Sequence, residues 1–168
     1  MYLTHHHAID VHAGEDVVRE LRDRAEIVDA LYRFGLGQDL RDRALFASAF
    51  AADAVVDFGP AAAKWGAVSP PMTGRDTIVD TVLALFAGRV DTTHTVTNPR
   101  IRVAADRRSA ALTALVEAQH LLSADHSRYA LLKNLYAVSL VPDGRRWVMR
   151  RVRIDNVWFT GDPVAIFG

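Results

Sequence analysis

Four side chains stand where chemistry can be done: Asp39, His94, His120 and Asn134. Each of the last three interrupts an alternating stretch whose same-parity neighbours are largely apolar, so parity places it on the inward face of a strand. Thr93, Thr95 and Thr97 share one face, while His94 and Val96 share the other. Leu112, Ala114, Val116, Ala118, His120 and Leu122 lie together against Thr113, Glu117 and Gln119. Ala130, Leu132, Asn134, Tyr136, Val138 and Leu140 lie together against Lys133 and Ser139. Buried polar groups need partners, and three of them facing one concave volume are satisfied by each other, by water or by a ligand. Each also has a plain structural reading. An inward histidine can bond a backbone carbonyl in a core, and one amide can bridge two strands at a bulge.

Asp39 carries two readings that can hold together. It can cap a second helix, with Asp42 at the third helical position. Alternatively, an acid at the negative end of the first helix is better tolerated beside a cation, and an inward His94 supplies one. A carboxylate on one ring nitrogen fixes the tautomer and leaves the other nitrogen free as a general base. The candidate catalytic residues are therefore Asp39, His94 and His120, and the candidates for substrate contact are Tyr32, Phe58, Trp65, Asn134, Arg153 and Trp158. In the last strand Arg151, Arg153 and Asp155 share parity with Trp147 and Met149, so alternation does not decide which way the arginines point. There is no Gly-rich phosphate loop, no helical His-Glu zinc pair and no Gly-x-Ser-x-Gly elbow. A metal set of His94, His120 and Glu117 is disfavoured because Glu117 has the wrong parity, and no cofactor is expected.

The elements that must position these groups follow from periodicity. From Glu15 to Gln38, Val17, Leu21, Ala25, Val28 and Leu31 recur at helical spacing, with Gly35 and Gly37 as a stop. A short second helical pattern carries Leu45, Phe46 and Phe50, and residues 54–58 suggest a strand. Residues 59–72 hold Pro60, Gly66, Pro70 and Pro71 and read as a long loop around Trp65. Thr73 with Asp76 resembles a capping box opening a third helix to Ala87. After Gly88 the period changes to two, with strands expected over 92–104, 109–123, 128–141 and 146–159. Helices first and long strands afterwards imply an α+β domain. Its curved antiparallel sheet would form a cone closed by the three helices, with a pocket on the concave side. The apolar tail 164–167 and Trp65 are placed to close that pocket.

With 168 residues, half of them hydrophobic, the chain builds one core, as a single domain over residues 14–168. Having no Cys, it can use neither a thiol nucleophile nor cysteine-ligated metal. Twenty Lys plus Arg balance twenty Asp plus Glu, which leaves no electrostatic footprint for nucleic acid or an anionic membrane and favours a small neutral ligand. Residues 1–13 hold His5, His6, His7 and His12 without an apolar period and read as a flexible arm. They lack the basic flank and apolar stretch of a signal peptide, so a cytoplasmic location is expected.

The segments Arg24-Ala25-Glu26-Ile27, Asp39-x-x-Asp42, Asp57-Phe58, Thr93-His94-Thr95-Val96-Thr97-Asn98 and Asp143-Gly144 with Trp147 resemble the SnoaL-like members of the nuclear transport factor 2-like superfamily. The likeness runs from about Asp23 to Trp158 and is to the branch of scytalone dehydratase, bile-acid dehydratase and hexachlorocyclohexane dehydrochlorinase. It implies a cone-shaped α+β barrel and a lyase using an Asp-His dyad, here Asp39 and His94, with His120 and Asn134 as further pocket groups. It equally accommodates an isomerase or polyketide cyclase using the same base, or a non-catalytic small-molecule-binding domain. A homodimer or homotrimer is implied as well. The sequence departs from the scytalone dehydratase pattern in lacking its pocket tyrosine pair, whose places fall on Phe34 or Gln38 and on Phe58. The dehydrochlorinase's pocket lysine also has no counterpart, and its arginine falls near Val152.

Overall fold

The computed structural model describes residues 15–167, so the expected His-rich arm lies outside the described residues. Helix α1 (Glu15–Asp39) runs straight through both glycines expected to stop it. The reason is close packing. A Cβ on Gly35 would lie 3.0 Å from the His94 Cβ, and one on Gly37 would lie 2.5 Å from the backbone nitrogen of Phe46. Interior helical glycine costs about 1 kcal/mol relative to alanine; here it lets α1 settle against a strand and the next helix.

Helix α2 (Arg43–Ala47) is capped by Asp42, whose carboxylate accepts the Leu45 N–H at 2.9 Å. The cap is therefore three residues later than Asp39, which is left for other work. Phe50 belongs to strand β1 (Phe50–Asp57), not to the second helix. The expected loop over 59–72 holds structure of its own. Helix α3 (Gly59–Ala62) holds Pro60 in its first turn, a 3₁₀ turn follows at Ala63–Trp65, and β2 is the pair Met72–Thr73. Gly66 ends the turn with φ +79°, a left-handed conformation that favours glycine. Helix α4 (Arg75–Phe86) has Gly74 at its N-cap with no side-chain cap bond, which replaces the expected Thr73 box. Strands β3 (Val90–Val103), β4 (Ala110–Leu122), β5 (Asp125–Asp143) and β6 (Arg146–Gly161) follow, then α5 (Pro163–Phe167).

The six strands form one open sheet in the order β2-β1-β6-β5-β4-β3. It is mixed, because β1 pairs parallel with β6 while every other pair is antiparallel. The four long strands by themselves would leave β6 as an edge, and β1 covers it. Register shifts at Thr97/Arg100, Lys133/Asn134 and Ser139/Leu140 mark bulges that bend the sheet. At the first, Asn98 takes φ +53°, which asparagine tolerates. Helix α1 lies over β3 and β6, α4 against β1, and α5 against β5 and β4. Between them Phe34, Phe46 and Phe50 meet edge to face at 5.3–5.8 Å and tie α1, α2 and β1 into one core. No described helix is long and apolar enough to cross a membrane.

The two helical glycines separate by what they touch. Gly37→Ala drives a Cβ into backbone and should destabilise by about 1–3 kcal/mol. Gly35→Ala meets a single side-chain carbon, and the helix-propensity gain of about 1 kcal/mol offsets much of the clash. Urea unfolding of both variants measures the difference, and the ordering is the expected result.

Candidate functional site

The site begins at the C-terminal end of α1. Asp39 is the last residue of that helix, and its carboxylate accepts three hydrogen bonds from β3. These come from the Thr92 hydroxyl at 2.9 Å, the His94 backbone N–H at 2.8 Å and the His94 ring Nδ1 at 2.7 Å. An ionised carboxylate only accepts, so Nδ1 carries the proton and Nε2 keeps its lone pair. Arg41, with φ +56°, folds back so that its guanidinium donates to the Gln38 and Val90 carbonyls and to the Thr92 hydroxyl at 3.0 Å. Its cation thus sits at the negative end of α1, where it is favourable.

His94 lines a cavity of about 180 Å³ between the sheet, α1 and α4. Its inner wall carries His94, His120, Asn134, Tyr136 and Gln38, and its remaining lining is mainly apolar, from Val56, Phe58, Ile78 and Phe86 among others. Among the described residues no Lys, Arg, Asp or Glu lines it. The His94 and His120 rings stand nearly perpendicular with centroids 5.5 Å apart. His120 is 4% exposed, wedged between Phe86 and Phe167, and its Nδ1 has no hydrogen-bond partner among the described residues. Burial, and secondarily the charge that His94 can carry, hold its pKa well below the ordinary histidine value. Asn134 bridges two strands at a bulge: its Oδ1 accepts from Asn156 Nδ2 at 2.9 Å. Asn134 also bonds the Tyr136 phenol, whose pKa is nevertheless raised far above the usual tyrosine range by complete burial.

A profile of the SnoaL-like domain matches residues 19–153. The chain belongs to the SnoaL-like family. It is 32% identical over 154 residues to terrestric acid biosynthesis cluster protein E of Penicillium crustosum, covering 88% of this chain and 91% of that protein. Among solved structures, a candidate scytalone dehydratase from Novosphingobium aromaticivorans superposes with TM-score 0.70 at 19% identity, over 88% of this chain and 90% of that one. A hexachlorocyclohexane dehydrochlorinase from Novosphingobium barchaimii gives 0.69 at 20%, over 88% and 94%. At such identities the two structures establish the fold alone.

Within this SnoaL-like fold, Asp39, His94, His120, Asn134 and Phe58 converge on the cavity, Asp39 from behind His94. Trp65 stacks on Phe167 at 5.9 Å and packs on Phe58 and Phe159, so it backs the wall rather than lining it. Three expected contact residues lie elsewhere. Tyr32 is 50% exposed on the outer side of α1. Arg153 sits on the opposite face of the sheet beside Asp57 at 3.4 Å, since inward Val152 forces Arg151 and Arg153 outward. Both arginines line a wider hollow of about 390 Å³ there, remote from the dyad. Trp158 is half-exposed under the Lys133 ammonium. Glu117 forms an ion pair with Lys133 on that outward side, away from His120. Tyr136 and Gln38 also line the cavity, and Asn156 supports Asn134 from behind. Tyr136 shares the parity of Asn134 and was legible, whereas Asn156 needed the β5–β6 register.

Because folding depresses the His120 pKa, the unfolded chain binds a proton there that the native chain does not, and stability falls with pH below about 6.5. From that one group the loss should approach about 1.4 kcal/mol per pH unit until the native pKa is reached. Urea unfolding between pH 7 and pH 5 should show a shallower slope for His120→Gln than for the unchanged chain.

Proposed function

We propose that this chain is a small-molecule lyase that needs no cofactor and carries out a dehydratase-type elimination. The observation that carries the reading is the 2.7 Å Asp39–His94 pair, whose remaining ring nitrogen belongs to a group lining an apolar cavity. His94 Nε2 takes a proton from a substrate carbon, and Asp39 orients the ring and stabilises the imidazolium as it forms. His120, neutral and with an unpartnered buried Nδ1, accepts a hydrogen bond from the substrate's departing hydroxyl and orients it. The proton then passes from His94 to the leaving hydroxide, so that water departs and the base is restored. Phe58, Phe86 and Phe167 keep bulk water from the site. The family match and the biosynthesis-cluster relative support a role in small-molecule chemistry.

Screening hydroxy- and halo-carbonyl compounds by mass spectrometry should find a substrate that loses water or hydrogen halide. His94→Ala should lower turnover at least about 100-fold with the fold intact by circular dichroism. Asp39→Asn should lower kcat strongly while leaving α2 capped by Asp42. Turnover that survives His94→Ala, or a product of unchanged mass, counts against elimination by this base, and the second outcome would make the protein an isomerase or cyclase.

A further inference from the structure

Outside the cavity, one cation stands behind both of its histidines. Arg41 does not line the cavity, yet its guanidinium lies 5.5 Å from the centroid of the Phe86 ring, and the same ring packs on His120 at 5.3 Å. Toward the dyad, Arg41 Nη1 donates to the Thr92 hydroxyl oxygen at 3.0 Å, and that hydroxyl donates to Asp39 Oδ1 at 2.9 Å. A hydroxyl has one proton to give. With a cation donating to its oxygen, the Thr92 proton is directed to the carboxylate, and the charge strengthens the bond it makes. Asp39 Oδ1 thereby holds the hydroxyl and the His94 ring Nδ1–H together, while Oδ2 holds the His94 backbone N–H.

The backbone of Arg41 has φ +56°, in the left-handed region that residues other than glycine rarely adopt. Such a conformation persists where the surroundings fix it, and here the Gln38 and Val90 carbonyls accept from the same guanidinium. Three acceptors on two nitrogens of one planar group set its angle as well as its position. The place so fixed is also where solvent comes nearest to the pair. A hollow of about 250 Å³, lined by Asp39, Arg41, Phe86, Asp91 and Thr92 among others, reaches the dyad from behind, and the Asp39 side chain keeps 14% exposure against 4% for His94. Donors held by the fold therefore stand there in place of mobile water. From these contacts we infer that Arg41 is a positioning residue, acting through the Thr92 hydroxyl to hold Asp39 on His94 Nδ1 and so to leave Nε2 as the free ring nitrogen. The inference rests on His94 as the base proposed above and names what keeps that base in one tautomer and one orientation.

The test follows the His94 ring Nδ1–H of the full ¹⁵N-labelled chain by NMR, assigned by its loss in His94→Gln, and measures its exchange with water. The unchanged chain should show this proton as a resolved downfield resonance. Arg41→Met, which keeps the length of the side chain and removes its donors, should speed the exchange by at least about tenfold, the scale of one charge-assisted hydrogen bond. Thr92→Val, which keeps the shape and removes the hydroxyl, should do the same, and the double variant should be no faster than Thr92→Val alone. Thr92→Ser should keep the slow exchange, which a position needed only for packing would not ensure. Thr92→Val leaves the carbonyl bonds of Arg41 in place, so it decides the matter should Arg41→Met fail to fold by circular dichroism. No downfield resonance in the unchanged chain, exchange unaltered in either folded variant, or effects that add in the double variant would overturn the inference. None of these signals needs a substrate, so a failed elimination and a failed Arg41 assignment are told apart.

Discussion

The contact on which the site depends is the carboxylate of Asp39 reaching across from the last turn of α1 to β3. One acid receives a hydroxyl, a backbone N–H and a ring nitrogen from Thr92 and His94, and so joins helix to strand at a single point. That point is electrostatically costly for an anion, being the negative end of a 25-residue helix. Arg41 offsets it by turning its guanidinium onto the same helix end. With the carboxylate so held, the His94 ring has one tautomer and one orientation, which is what a base acting on carbon requires.

Other features serve this junction. Gly35 allows the helix to approach within contact of the His94 Cβ, and Gly37 allows α2 to turn back against α1. The Phe34–Phe46–Phe50 cluster holds the helical layer at that depth, and the same Phe34 ring touches both His94 and Tyr136. The bulge beside Asn134 sets its side chain against Asn156 while keeping it on the cavity wall. Structural and ligand-facing readings of that asparagine are therefore both satisfied by one residue. Most polar groups collect along the wall formed by β3, β4, β5 and α1, and the rest, apart from the hydroxyl residues Ser69 and Thr81, is covered by apolar side chains including those of α4, Phe58 and Phe167. Low polarity around a few fixed dipoles strengthens each of them.

Much was legible without coordinates. A side chain in a strand must point to one face or the other, so alternation alone placed His94, His120 and Asn134 inward, and the change of period after Gly88 announced the α+β order. The resemblance carried by Asp39-x-x-Asp42 and the Thr93–Asn98 segment led to the family that the domain match establishes. The same parity rule includes Tyr136, although an aromatic in an apolar face reads as core. Where parity is ambiguous, in β6, the sequence leaves the arginines undecided and offers Arg153 as a contact residue, whereas the structure sets it on the outer face.

What the sequence by itself determined was local: periodicities, inward faces, and an acid and a base of suitable type. Which acid caps which helix was not local, because Asp39 and Asp42 are chemically alike and only the position of α2 decides that Asp42 meets the Leu45 N–H. Helical continuation through Gly35 and Gly37 likewise depended on partners more than fifty residues away in one case and nine in the other. Tyr32 and Trp158 have the composition of pocket residues, and the tertiary structure turns both outward because helix rotation and strand register are set by the whole core. Chemistry at this site requires groups on α1, β3, β4 and β5 to converge on a single volume, and no one-dimensional spacing contains that distance.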